Sequence, residues 1–237
     1  KDAARVLSTY CDALAIRPRP AGRAWEVDRR DEAIQAWSQH ATVPVLNMES
    51  ALWHPLQALA DLMTLRETFG RDLSKKRLAI TWTPSPTPSV VHSLLLAALR
   101  SGRDVTLAHP RGFELDGGVM SEARSVCAAS GADFREAASP RDAARGAHVV
   151  YARPWASLEN YGQKSREAHR VTQSRDWLVD DELLALGEDT RFMHPMPVRR
   201  NLEVTDAVLD GPRSLVLEQA ANRLHTQKGL LSLLLRS

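Results

Sequence analysis

The chain has 237 residues, 43% of them hydrophobic and 25% charged, with 31 Lys plus Arg against 29 Asp plus Glu. That length buries the core of one large domain or two small ones, and the near-balance of charge excludes a global basic field for nucleic acid or an anionic membrane. Any anion-binding site must therefore be local.

The longest apolar runs, SLLLAAL and LLSLLL, fall short of a bilayer span, and the start KDAARVLSTY lacks a signal-peptide layout. A cytoplasmic location is expected, with no membrane and no nucleic-acid partner. Cys11 and Cys127 stand alone, without CxxC spacing, and are expected to be buried reduced thiols.

In chain order, DALAIR (12–17) reads as a strand, DEAIQAWSQHA (31–41) as a helix and TVPVLNM (42–48) as a strand. PLQALADLMTLRETFG (55–70) carries apolar residues at helical spacing and ends in Gly, as helices often do. In ETFGRDLSKKR (67–77) charge density rises before an apolar strand begins afresh, which places a domain boundary there. Strands RLAITW (77–82), DVTLAH (104–109), HVVYAR (148–153) and RFMHP (191–195) then alternate with helices VVHSLLLAALRSG (90–102) and VMSEARSVCAASG (119–131). The Pro-rich TPSPTPS (83–89) is stiff, because proline fixes its own φ and restricts the residue before it.

This alternation predicts an α/β fold of two doubly wound parallel-sheet domains, the first one incomplete. The expected division is 1–70 for one domain and 71–212 for the other, with a closing helix within 213–237 that returns to the first. In open parallel sheets, ligands sit beyond the carboxyl ends of the strands. Arg17 ends one strand, and His54 and Gln57 begin the helix after another. An Arg beside a helix N-terminus makes a site for a phosphate-like anion, although a lone His such as His54 is more often a cap or a packed side chain.

Four segments carry a resemblance: MESALWHPLQALADLMTL, VVYARPW, FMHPMPVRRNLEVTDAVLD and EQAANRLHTQKGLL. Together, and in this order, they resemble the aspartate/ornithine carbamoyltransferase superfamily, most nearly its N-acetylornithine branch. The resemblance implies carbamoyl transfer from carbamoyl phosphate to the side-chain amine of an N-acylated ornithine or related amine, within arginine biosynthesis. It implies no metal or organic cofactor, a homotrimer, and a backbone knot in the second domain that involves the Pro-rich segment.

Residue by residue, the resemblance puts Arg17 and Arg223 on the phosphate, and His54 and Gln57 on the carbamoyl group. His194, Pro195 and Met196 match a loop whose backbone carbonyls accept hydrogen bonds from the carbamoyl amino group, and a proline-bracketed turn holds such carbonyls still. Glu49, Arg153 and Arg199 match positions facing the amine substrate, with a solvated loop carboxylate as the other reading of Glu49. Arg200 is expected to pair only with surface carboxylates.

The match has departures. No Ser-x-Arg-Thr-Arg phosphate loop occurs in these residues, Pro195 replaces a Cys, Arg153 and Glu203 stand where the acetylornithine branch has Lys, and the Pro-rich segment is short and lacks an expected Asn. The alternative expectation is a non-catalytic homologue with a binding or regulatory role. A dinucleotide oxidoreductase would need a GxGxxG turn after a strand, and none occurs.

Overall fold

The structure, a computed structural model, describes residues 1–74, 76–84, 87–163 and 175–235. Two parallel sheets organise it. Strands β1 (Leu14–Ile16) and β2 (Val45–Asn47) pair in register Leu14 to Val45. Five further strands are ordered β5 (Phe134–Ala137), β4 (Val105–Ala108), β3 (Leu78–Pro84), β6 (Val149–Trp155), β7 (Arg191–Met193). Every pairing is parallel.

Helices connect these strands. Before β1 lies α1 (Asp2–Leu7); between β1 and β2 lie α2 (Trp25–Asp28) and α3 (Glu32–His40). Then come α4 (Pro55–Phe69), α5 (Ser89–Arg100), α6 (Gly117–Ser130) and α7 (Pro140–Ala144). Short α8 (Asp181–Leu184) and α9 (Asp206–Leu209) precede the long α10 (Val216–Leu234).

The core follows from the sequence in a direct way. Strands covered on both faces must be apolar at every position rather than at alternate ones. Leu78, Ile80 and Trp82 of β3 and Val149, Tyr151 and Trp155 of β6 are buried, and Leu94, Leu95 and Leu99 of α5 join the same cluster. Trp82 and Trp155 place their ring N–H groups on the carbonyls of Trp155 and Phe113, at 2.8 and 2.7 Å, so their burial strands no donor.

The chain builds outward from β3 to β4 and β5, then crosses back to lay β6 and β7 on the other side of β3. That reversal opens a crevice beyond the carboxyl ends of β3 and β6. The closing helix α10 lies against α4, as its length predicts: Asn222 donates to Thr64 Oγ1 at 3.0 Å and to Glu67 at 2.6 Å.

One expectation needs correction, and some elements lie outside the expectations, β5 and α1 among them. Cys11 is exposed, in the turn after α1, and Cys127 is only half-buried on α6, so neither is the fully buried thiol expected. Strand β5 was not predicted, because as the sheet's edge it carries Arg135 and Glu136, the charges that keep an edge from pairing further and make it read as loop. The short α1 was also not predicted; only one of its residues, Ala4, is buried, so it carries no periodic apolar stripe. The implied knot turns on the Pro-rich segment, of which residues 85–86 lie outside the described residues.

Asp116 ties the segment after β1 to the larger sheet's helices. Its carboxylate caps α6 through Gly118 and Val119 and accepts from Trp25 Nε1 at 2.8 Å and Arg29 Nε at 2.7 Å. Burial pushes its pKa up, but the hydrogen bonds from Arg29 and Trp25 outweigh that and hold it down at about 2. Asp116→Ala is expected to destabilise the fold by about 2–4 kcal/mol in urea unfolding, losing the cap and leaving the Trp25 N–H without a partner. Asp116→Asn, which still caps, is expected to cost clearly less.

Candidate active site

The N-terminus of α4 is the centre of the site. His54 is its N-cap and Pro55 takes the first helical position, where the missing N–H costs nothing. The His54 backbone N–H donates to Ser93 Oγ of α5 at 2.8 Å, which holds the residue between two helices. Gln57, one turn in, is buried and points its Oε1 at Arg223 Nη1, 2.6 Å away on α10. The same guanidinium nitrogen is 3.5 Å from His54 Nε2. A guanidinium only donates, so the facing Nε2 is the bare nitrogen and the ring proton sits on Nδ1.

Arg17 and Glu49 lie just past the carboxyl ends of β1 and β2 and form an ion pair with each other. Glu49 also accepts from Ser89 Oγ at 3.0 Å, which links the first sheet to the start of α5. Arg153, near the carboxyl end of β6, stands in register with Trp82 of β3, at the sheet's crevice. The turn after β7 follows: His194 is wholly buried, Pro195 half-buried and Met196 exposed, and the Met196–Pro197 bond is cis.

The structure thus brings Arg223, Arg17, Glu49 and Arg153 within electrostatic reach of His54, and Gln57 into contact with Arg223. Among the described residues, the buried Nδ1 of His54 and of His194 and the buried Nε of Arg153 and of Arg223 have no protein partner. Arg199 instead gives its Nε to Glu203 at 2.5 Å, and Glu203 holds His194 Nε2 at 2.8 Å. Arg200 pairs with Asp206 and Asp210 at the surface, as expected.

Burial is the largest influence on the titrating groups here. It lowers His54 to about 4, opposed by Glu49 and helped by Arg223, Arg153 and Arg17. Burial also lowers His194, although Glu203 works against it, and it lowers Arg223. Glu203 is pushed up by burial, but the hydrogen bonds from His194 and Arg199 outweigh this and keep it ionised. His194 is therefore a neutral imidazole donating from Nε2 to a carboxylate.

Asp61, Tyr151 and Gln219 were missed in the sequence. Asp61 lies four residues after Gln57, and Gln219 four before Arg223, so both share a helical face with an expected site residue. A carboxylate inside the mostly apolar run ALADLMTL was the available signal.

Two family models match this chain. Residues 1–67 match the carbamoyl-P binding domain of aspartate/ornithine carbamoyltransferase, and residues 76–234 match its Asp/Orn binding domain. The chain belongs to the aspartate/ornithine carbamoyltransferase family. By that membership it is a carbamoyltransferase.

Its relatives include N-acetylornithine carbamoyltransferase of Xylella fastidiosa (strain 9a5c), 38% identical, with 98% of this chain aligned to 70% of the relative. Ornithine carbamoyltransferase of Acidothermus cellulolyticus (strain ATCC 43068 / DSM 8971 / 11B) is 40% identical, with 99% of this chain aligned to 70% of it. A crystal structure of acetylornithine transcarbamylase complexed with acetylcitrulline superposes with TM-score 0.95 at 37% identity, covering 98% of this chain and 71% of that one.

The buried histidine of this carbamoyltransferase generates a pH test. Unfolded histidine titrates near 6.5, so between about 4 and 6.5 the unfolded chain binds a proton that folded His54 refuses. Stability therefore falls as pH drops through that window, by at most about 1.4 kcal/mol per pH unit for this one group. Asp61 acts with the opposite sign: burial raises it to about 6, despite hydrogen bonds from Gln57, Gln219 and Tyr151. The His54→Asn protein keeps an N-capping residue and is expected to show a shallower slope of stability against pH from 6.5 to 4 than the wild type, measured by urea unfolding. Equal slopes would mean that His54 titrates normally.

Proposed function

We propose that the protein moves the carbamoyl group of carbamoyl phosphate to the side-chain amine of an N-acylated ornithine or a related amine. The observation that carries this reading is the convergence of Arg223, Gln57 and His54 at the N-terminus of α4. Arg223 and the helix terminus supply the charge and donors that a phosphate needs. Neutral His54 offers its Nδ1–H, which no described residue accepts, to the oxygen that becomes negative when the carbamoyl carbon is attacked.

The amine attacks uncharged, a tetrahedral intermediate forms, the C–O bond to phosphate breaks, and the amine's proton leaves with phosphate or solvent. The protein's part is to orient the reactants and stabilise developing charge, with no covalent intermediate on the chain. On this reading, residues 1–70 with α10 hold carbamoyl phosphate, assisted by the His194–Pro197 turn at its amino group, and the rest of residues 71–212 hold the acceptor. The hydrogen bonds from α10 to α4 support placing α10 with the first group. The resemblance-based expectations of a trimer and a knot belong to the same proposal.

The acceptor is the finer part of the proposal. Relatives named for acetylornithine and for ornithine are similarly close, at 38% and 40% identity. An acylated acceptor is supported by the wider correspondence of RFMHPMPVRRN, TDAVLD and NRLHTQK with the acetylornithine branch, while Arg153 and Arg199 are cations suited to an α-carboxylate.

The full-length protein, supplied with carbamoyl phosphate and N-acetylornithine, N-succinylornithine or ornithine in turn, is expected to form a citrulline product fastest from an acylated acceptor. Faster turnover of ornithine would overturn the acceptor, and no turnover of any amine would favour the non-catalytic alternative. Arg223→Met is expected to raise the KM for carbamoyl phosphate about 10- to 100-fold, the loss of a charge-assisted bond, with a much smaller effect on the acceptor's KM.

A further inference from the structure

Asp61 makes three hydrogen bonds and touches none of the groups proposed to meet substrate directly except Gln57. Its Oδ1 accepts from Gln57 Nε2 at 2.8 Å and from Gln219 Nε2 at 2.7 Å, and its Oδ2 accepts from Tyr151 OH at 2.9 Å. Beyond the two glutamines the chain of contacts continues. Gln57 Oε1 accepts from Arg223, and Gln219 Oε1 accepts from the backbone N–H of His194 at 3.0 Å. Asp61, Gln57, Gln219 and Tyr151 are all buried, so water does not compete for these bonds.

A carboxylate is an acceptor only, whereas a glutamine amide has one end that donates and one that accepts. Two amide NH2 groups meeting the same oxygen are thereby locked the same way round, with both carbonyl ends turned outward. One outward carbonyl faces a guanidinium and the other a backbone N–H, and each would meet a donor with a donor if its amide flipped. The hub therefore sets both the spacing and the polarity of two parts of the site that lie far apart in sequence.

We propose that Asp61 is a positioning residue for carbamoyl transfer, which through Gln57 holds Arg223 toward the phosphate and through Gln219 holds the His194–Pro197 turn toward the carbamoyl amino group. This rests on the carbamoyl phosphate reading above. Its two arms have separate consequences: the Arg223 arm acts on binding of carbamoyl phosphate, and the His194 arm on its alignment for attack.

The test uses variants of the full-length protein, with carbamoyl phosphate binding measured by calorimetry, turnover by product formation, and folding by near-UV circular dichroism. Asp61→Asn still presents one oxygen to both glutamines and is expected to bind carbamoyl phosphate within about threefold of the wild type. Asp61→Leu presents none and is expected to weaken binding about tenfold or more, while the acceptor's KM stays within about twofold.

Gln219→Leu leaves the Asp61–Gln57–Arg223 arm intact and is expected to lower kcat about tenfold with binding little changed. A folded Asp61→Leu protein that binds like the wild type, or an Asn variant as impaired as the Leu variant, would overturn the hub. If Asp61→Leu does not fold, an unchanged kcat in Gln219→Leu overturns it and a lowered kcat with intact binding supports it. A wild type that does not bind carbamoyl phosphate overturns the underlying reading of the site, and this proposal with it.

Discussion

The contact between α10 and α4 is polar where helix pairs are usually apolar, and the placement of the site depends on it. Gln219, Asn222 and Arg223 share one face of α10, at spacings of three and four, and meet Gln57, Asp61, Thr64 and Glu67 along one face of α4. Apolar side chains would tolerate a small slide along the interface. Buried donors and acceptors do not, because each one left unpaired costs about 1–3 kcal/mol. Moving α10 by one residue, about 1.5 Å along its axis and 100° around it, would break all of these pairs together. The helix is thus keyed to a single register, and that register carries Arg223 to His54.

The electrostatics of the site follow from its depth. Arg223 is cationic in a place where burial penalises its charge, with Arg17 as a further opposing cation. An anion held there relieves both penalties, and in a poorly solvated site a charge-assisted bond to a guanidinium gains strength. The same burial keeps His54 neutral, so it donates a hydrogen bond without adding to the local positive charge. Arg17 differs in kind: its side chain is 66% exposed and already paired with Glu49. Its attraction for an anion would be screened by solvent and shared with a carboxylate, so on the proposed reading Arg223 is the stronger anchor of the two.

The parts of this arrangement that were legible in the sequence are those that local rules dictate. Apolar runs long enough to be buried strands marked β3, β4 and β6, and glycine after a helical pattern marked the end of α4 at Gly70, whose φ of 87° suits no other residue well. His54 and Gln57 were found because a helix start is visible in sequence and a family pattern coincides with it. Asp61, Gln219 and Tyr151 are different. Their roles exist only once residues about 90 and 158 positions apart are brought together, and none of the three stands out from its own segment as part of a network. Edge strand β5 escaped for the opposite reason, since its polar residues obey a tertiary requirement that imitates a loop.

Glu203 shows how a departure from the family pattern is absorbed by its surroundings. A carboxylate almost fully buried beside the turn would be costly alone, but it has His194 on one oxygen and Arg199 on the other. Because it stays ionised, it draws the His194 proton to Nε2 and leaves Nδ1 as an acceptor that no described residue fills. It also occupies the Nε of Arg199 and partly offsets that side chain's charge. Where the resemblance implies a lysine, this chain has an anion that is hydrogen-bonded by the neutral His194 and ion-paired with Arg199. The consequence is geometric as well as electrostatic: Glu203 fixes the Nε of Arg199 beside the turn with one oxygen and the ring of His194 within it with the other.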